Sequence, residues 1–274
     1  MSTSVNQTNT ATLTKEGMPQ RLAPGDPAPV PFGRLVAVEL RKLIDTRAGR
    51  WLLITISLVT AAAVVIVMCT GSADHDKDFG TFLFATVVPQ SILLPILGIM
   101  AVTSEWSQRT GLVTFTLEPR RARIAWSKLG AAATMGVAVV AAAFVLAAAA
   151  ALLCQGIRGS SPDWSMDWQG CAGLLLMQLI GIATGVAFGM LLQNTPGAIV
   201  AYLFIPTVWS IVSDISWMQT VGRWADTNRT VQPLLDGHMS GAQWAHLVVS
   251  VLIWVAVPLA GGLWRVTHSE VKSA

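Results

Sequence analysis

Charged side chains are scarce in this sequence. Asp, Glu, Lys and Arg together make up 12% of its 274 residues, whereas an ordinary soluble domain has about 25%. Hydrophobic residues make up 53%, so there are too few polar side chains to cover the surface of a soluble domain of this length. The composition therefore excludes an ordinary soluble enzyme and indicates a polytopic membrane protein whose apolar surface faces lipid.

The usual signatures of catalytic and metal sites are also missing. The sequence has no Walker A pattern and no H-E-x-x-H pattern, its four histidines are scattered, and no paired carboxylates lie inside an apolar run. The three cysteines form no C-x-x-C pair; Cys154 and Cys171 either form a disulfide across one polar loop or pack as thiols. We therefore predict that the chain is not an enzyme and holds no metal or cofactor of its own.

The first 50 residues divide into two segments of different character. Residues 1–31 are rich in Ser, Thr, Asn and Pro, which predicts a disordered cytoplasmic tail. Residues 32–50 predict a basic amphipathic helix in the membrane interface, and this helix contains Glu39, Arg41, Lys42 and Asp45. The alternative is that it forms the frayed start of the first span, but Gly49 favours a break between the two.

Six apolar runs follow, and they predict an all-α protein with six transmembrane helices in addition to the interfacial helix. The runs cover residues 51–70, 79–103, 129–153, 170–192, 198–212 and 245–264, of which the fifth is short and contains Pro206. Lys and Arg concentrate before the first run, between the second and third, and after the sixth, so both termini are expected in the cytoplasm. Cations placed beside apolar runs indicate membrane topology and lipid contact, not a nucleic-acid partner.

The fourth run carries three glycines at a spacing of four residues: Gly181, Gly185 and Gly189. Glycines at this spacing form one smooth stripe along a helix, which lets another helix backbone approach closely. The pattern predicts helix packing, and it leaves open whether the partner helix belongs to the same chain or to a second copy.

The largest charged segment lies between the second and third runs, from Ser104 to Lys128. Its charged residues include Glu105, Arg109, Arg120, Arg121 and Lys128, and apolar residues alternate with threonines in its middle. Pro119 ends one helix and suits the first turn of the next. The segment fits two interpretations equally well: a short bent element that docks into a partner, or a positively charged topology loop.

These residues and their order resemble the permease family of type-2 ATP-binding-cassette (ABC) transporters, in its actinobacterial form. The resemblance covers roughly Phe32 to the C-terminus and includes the interfacial helix, the six spans and an elaborate last outer loop. In the family, the second span ends in a glutamate, followed by an aromatic residue, a Gly/Thr pair and a Pro-Arg-Arg step. These correspond here to Glu105, Trp106, Thr110, Gly111, Pro119, Arg120 and Arg121.

The resemblance implies a permease subunit of an ABC exporter in the plasma membrane. A second permease chain, identical or different, would complete the translocation pathway, and separate ABC ATP-binding subunits would bind the ATP. The segment from Glu105 to Arg121, including Arg109, would contain the coupling helix that docks on the ATPase, and the interfacial helix around Glu39 to Asp45 would flank that site. The alternative is a non-transporting integral membrane protein with an immunity or anchoring role.

Overall fold

The computed structural model describes residues 30–70, 78–107, 120–158 and 168–268, and these residues form helices joined by short turns, with no strand among them. The helices are α1 (Phe32–Asp45), α2 (Arg47–Thr70), α3 (Phe79–Ser107), α4 (Arg121–Arg158), α5 (Trp168–Leu192), α6 (Thr195–Ser213), α7 (Gln219–Ala225), α8 (Thr227–Val231) and α9 (Gly241–His268). A 3₁₀ turn, Gln232–Leu234, follows α8, and α9 contains one π-helical turn, Leu252–Ala256.

Six of these helices, α2, α3, α4, α5, α6 and α9, are long and apolar enough to cross a membrane. The prediction of an all-α polytopic membrane protein is therefore confirmed. The helices extend past the predicted runs, most clearly α4, which begins at Arg121 instead of residue 129. We name the end of the bundle that carries α1, Arg121 and the α5–α6 turn the α1 end, and the end that carries α7 and α8 the α7 end.

The expected break between α1 and the first span is present, but it lies at Thr46 and not at Gly49. The Thr46 side chain accepts a hydrogen bond from the Gly49 N–H at 3.2 Å, which satisfies one of the free N–H groups at the start of α2. A Cβ at Gly49 would overlap the Leu43 carbonyl. Gly49 is therefore needed for close packing of α2 against α1, and the chain breaks three residues earlier.

Helix α6 starts at the polar turn that joins it to α5, which explains how a short apolar run forms a 19-residue span. Asn194 accepts a hydrogen bond from the Gly197 N–H at 2.8 Å and caps the helix, and Pro196 occupies its first turn. The Thr195 hydroxyl lies 2.8 Å from that of Thr103, which fastens the turn to α3.

The α7 end is held together by polar contacts between α6, α7, α8 and α9. Asp226 is almost fully buried; it accepts a hydrogen bond from Ser210 of α6 at 2.8 Å and lies 3.3 Å from the Arg229 guanidinium. The Trp254 indole donates to the Ala225 carbonyl at 2.6 Å. The segment after α6 therefore folds back onto the bundle as a fixed cap.

Candidate functional site

Four charged side chains from three helices meet at the α1 end, and we name them the charge cluster. Glu39 and Lys42 come from α1, Glu105 comes from the last turn of α3, and Lys128 comes from the third turn of α4. Helices α3 and α4 flank residues 108–119, so the charge cluster joins α1 to both ends of the segment for which the sequence predicts a coupling element.

The two lysines bridge the two glutamates through short contacts. Lys42 Nζ lies 2.6 Å from Glu39 Oε1 and 2.8 Å from Glu105 Oε1. Lys128 Nζ lies 2.7 Å from Glu39 Oε2 and 3.1 Å from Glu105 Oε1. Lys128 also donates to the Ala101 carbonyl at 3.3 Å. The result is a closed ring of ion pairs with two positive and two negative charges.

Three members of the charge cluster are removed from solvent. The side chains of Glu39, Glu105 and Lys128 are 9%, 8% and 6% exposed, whereas that of Lys42 is 40% exposed. Buried ions lose their hydration, and only close opposite charges and hydrogen bonds compensate for that loss. The charge cluster meets this requirement as a neutral set, but loss of one member would leave an uncompensated charge in an apolar region.

Lys42 remains a cation over a wide pH range. Burial lowers the pKa of its ammonium, but the hydrogen bonds to Glu105 and Glu39 and the charges of both carboxylates raise it by more. The net pKa of Lys42 therefore lies above its ordinary value, so its ammonium stays protonated at any physiological pH.

Local sequence explains how the four side chains converge. Glu39 and Leu43 lie one turn apart and form the buried face of α1, and Lys42 follows Glu39 by three residues, so its ammonium reaches over the same face. Gly130 lies where α1 crosses α4; a Cβ there would lie 3.3 Å from Val36 Cγ2. Small residues on α4 therefore let α1 come close enough for direct ion pairs.

The remaining residues of the predicted coupling loop fall into two groups. Trp106 is half-buried, Arg120 is exposed, and Arg121 donates from Nη1 to the Val266 carbonyl of α9 at 3.1 Å. Arg109, Thr110, Gly111 and Pro119 lie outside the described residues. Glu105 therefore belongs to the charge cluster, whereas Arg121 contacts the C-terminal end of α9.

The four charged residues predicted for the interfacial helix also fall into two groups. Glu39 and Lys42 enter the charge cluster, whereas Arg41 and Asp45 form an ion pair on the opposite face, 3.7 Å apart, with side chains 84% and 68% exposed. α1 therefore turns one pair of charges into the protein and one pair outward. The exposed pair serves as an internal comparison for the buried one.

The glycine stripe of α5 lies against α3 of the same chain. A Cβ at Gly185 would overlap the Pro95 carbonyl, and one at Gly189 would lie 3.1 Å from the Ile99 carbonyl oxygen. Gly181 has more room, since its Cβ would lie 3.3 Å from Pro95 Cγ. The stripe therefore brings the two central spans together within one chain.

Sequence reasoning missed the roles of Glu39, Lys128 and Arg265. It treated Lys128 as a topology cation, although Lys128 shares a helical face with Ile124, Ala131 and Ala132, all of which are buried. A lysine on an otherwise apolar helix face is the signal that could have revealed a buried partner. Arg265 caps the end of α5 by donating to the Leu191 carbonyl at 2.7 Å.

Other kinds of site find no support in the described part of the chain. No three His, Cys, Asp or Glu side chains gather there as metal ligands. Cys69, Cys154 and Cys171 are free thiols, so the pairing of Cys154 with Cys171 is absent and the alternative of two separate thiols holds.

Comparisons with known proteins add no assignment. No family model matches the chain, and no curated protein matches it in sequence. The functional interpretation therefore depends on the sequence motif and on the geometry of the charge cluster.

Proposed function

We propose that the chain is a permease subunit of an ABC exporter, located in the plasma membrane with both termini in the cytoplasm. A separate ABC ATP-binding subunit binds and hydrolyses the ATP, and a second permease chain completes the translocation pathway. The observation that carries the proposal is the charge cluster, which joins the interfacial helix to the two spans that flank the predicted coupling segment.

The orientation is supported by the distribution of cations between the two ends of the bundle. Among the described residues, ten lysines and arginines lie at the α1 end: Arg34, Arg41, Lys42, Arg47, Arg50, Arg120, Arg121, Arg123, Lys128 and Arg265. The described residues at the α7 end include only Arg158, Arg223 and Arg229. Cations concentrate on the cytoplasmic side of membrane proteins, so the α1 end faces the ATP-binding subunit.

The charge cluster gives this end the stiffness that coupling requires. A partner changes a conformational equilibrium only through contacts that differ between the two states. A force on the segment after Glu105 acts on α3 and α4, and the ion pairs of Glu39 carry it to α1 as well. The three helices then move as one unit, which converts a small displacement at the docking site into a shift of the spans.

Apolar faces remain available for a second permease chain and for lipid. Helices α2 and α6 are the least buried of the six spans, and their exposed side chains include Leu58, 65% exposed, and Ile211, 67% exposed. Faces of this kind suit lipid and subunit contact in a membrane. They support the proposed dimer without distinguishing two identical chains from two different ones.

The test is site-specific photocrosslinking in native membranes. A photoreactive phenylalanine analogue replaces exposed Arg120 beside the coupling segment, and a matched variant carries it at Trp217, which is 74% exposed near the α7 end. We expect the analogue at position 120 to capture a subunit with Walker motifs, and the analogue at position 217 to capture none.

Two outcomes would overturn the proposal. A folded chain that captures no ATPase from either position would favour the non-transporting immunity or anchoring protein. Capture of the ATPase from position 217 alone would reverse the orientation and remove the charge cluster from the docking side.

A further inference from the structure

A cavity of about 260 Å³ lies between α3, α5, α6, α8 and the π turn of α9, away from the charge cluster. None of the described side chains that line it is charged. Its wall combines apolar groups such as Met177 and Leu203 with the hydroxyls of Thr184 and Thr207 and the rings of Tyr202 and Trp254. A wall of this composition suits an uncharged molecule, because a charge would enter without a counter-ion.

Prolines in three spans shape this cavity. Pro95 has no N–H for the Ser91 carbonyl, which instead accepts the Tyr202 hydroxyl at 3.2 Å. Pro206 in the wall likewise offers no N–H to the Tyr202 carbonyl one turn earlier.

Pro258 removes the ordinary donor for the Trp254 carbonyl, and the chain there forms a π turn in which the Val257 N–H reaches the Leu252 carbonyl. π turns inside α-helices are frequent at functional sites. Backbone hydrogen bonds are thus interrupted by proline in three helices around the cavity. The Trp254 indole in the cavity wall is held in place by its hydrogen bond to the Ala225 carbonyl.

Gln178 supplies the decisive observation. Its side chain is 2% exposed, it lines the cavity, and its Nε2 group has no hydrogen-bond partner. A buried donor without a partner costs about 1–3 kcal/mol, and native proteins rarely keep one without a reason. The nearby hydroxyls of Thr184 and Thr207 donate to the Ile180 carbonyl at 2.8 Å and the Leu203 carbonyl at 2.6 Å, and neither accepts a hydrogen bond from Gln178 Nε2. Gln178 is therefore positioned to donate to an occupant.

We propose that this cavity is a binding site for a small, uncharged, largely apolar molecule that carries one hydrogen-bond acceptor oxygen. The oxygen accepts from Gln178 Nε2, and the apolar part packs against Tyr202, Trp254 and Met177. The site is formed within a single chain, so the inference does not depend on the proposed permease function.

Benzophenone is the probe, because it is an uncharged diaryl ketone whose carbonyl accepts a hydrogen bond and inserts into nearby C–H bonds under ultraviolet light. The purified full chain is irradiated with increasing benzophenone in detergent micelles and in phosphatidylcholine nanodiscs, and labelled peptides are located by mass spectrometry. We expect saturable labelling of cavity residues such as Met177. Labelling of Phe204, which is 63% exposed on α6, should rise without saturation.

The Gln178→Leu variant removes the donor, and we expect half-saturation at about fivefold higher probe concentration, the effect of about one neutral hydrogen bond. Gln193→Leu is the matched control, since Gln193 also has an unpartnered buried Nε2 but lies at the α1 end, outside the cavity. Its saturation curve should match that of the unmodified chain.

A second variant, Thr207→Trp, places a large ring at the exposed edge of the cavity and should abolish saturable labelling while leaving buried packing intact. The proposal fails if labelling of the cavity never saturates, or if Gln178→Leu and Gln193→Leu give the same curve. Saturation in micelles but not in nanodiscs would assign the cavity to a lipid chain and would also overturn the proposal.

Discussion

The burial and pairing of the charge cluster predict how much each member contributes to the free energy of unfolding. Replacing Glu105 by Gln leaves Lys128 with Glu39 as its remaining carboxylate, and the buried set then carries a net positive charge. Breaking a buried ion pair by removing one partner costs about 3–5 kcal/mol, and the 6% exposure of Lys128 places this substitution in that range. Lys128→Met should lower the free energy of unfolding by a similar amount, because it leaves two buried glutamates with Lys42 as the one remaining cation of the charge cluster.

The double variant separates charge pairing from simple loss of contacts. Glu105→Gln with Lys128→Met removes one charge of each sign and leaves the Glu39–Lys42 contact at 2.6 Å intact. Its cost should fall short of the sum of the single variants by about 2–3 kcal/mol, at the upper end of coupling energies between neighbours. Asp45→Asn is the control on α1, because Asp45 is 68% exposed and exposed pairs contribute at most about 1 kcal/mol.

The measurement is the free energy of unfolding in mixed micelles of a mild detergent and SDS, followed by circular dichroism. Strict additivity of the two single variants would refute the reasoning, as would a cost for Asp45→Asn equal to that for Glu105→Gln. Either result would mean that the four side chains act as independent surface charges.

Three further predictions use the same assay. Gly185→Ala should lower the free energy of unfolding by about 3 kcal/mol or more, because the new Cβ would overlap the α3 backbone. Gly181→Ala should lower it by less than about 1 kcal/mol, and equal losses would contradict the close packing of α5 against α3 at Gly185. Trp254→Phe should lower the free energy of unfolding by about 1–2 kcal/mol, because it removes the indole N–H that donates to the Ala225 carbonyl at 2.6 Å. The contribution of Lys42 to the free energy of unfolding, measured against Lys42→Met, should be constant from pH 7 to about 9.5. It should decline only above the ordinary lysine pKa of about 10.4, because the pKa of Lys42 is raised in the folded state and the stabilisation is lost only when the ammonium deprotonates.

The membrane fold was predictable because it depends on composition and on local pattern. An apolar run of about 20 residues has few stable alternatives to a spanning helix, and the chain supplies six. Boundaries were harder, because they depend on single capping contacts. Thr46 caps the start of α2 through one side-chain bond to Gly49, and Asn194 caps α6, which begins three residues before its apolar run. Nothing in the hydropathy of the sequence reports either bond.

The charge cluster was predictable only in part, and the reason lies in the distance between its members along the chain. Glu105 was identified through its motif, but its partners lie 63 residues before it, at Lys42, and in the next span, at Lys128. A single sequence shows which charges exist but not which of them meet. In a chain so poor in charge, however, an ion that is buried at the end of a span needs an opposite charge close by.

This requirement gives a rule for similar sequences. A lysine on the apolar face of a spanning helix, a glutamate at the end of the preceding span and a glutamate on an amphipathic helix before the first span are each unfavourable alone. With a second lysine one turn after the glutamate of the amphipathic helix they form a neutral set of four, and their mutual need for compensation predicts that they meet. Applied here, the rule selects Lys128, Glu105, Glu39 and Lys42 and rejects Asp45, whose partner Arg41 shares its exposed helix face.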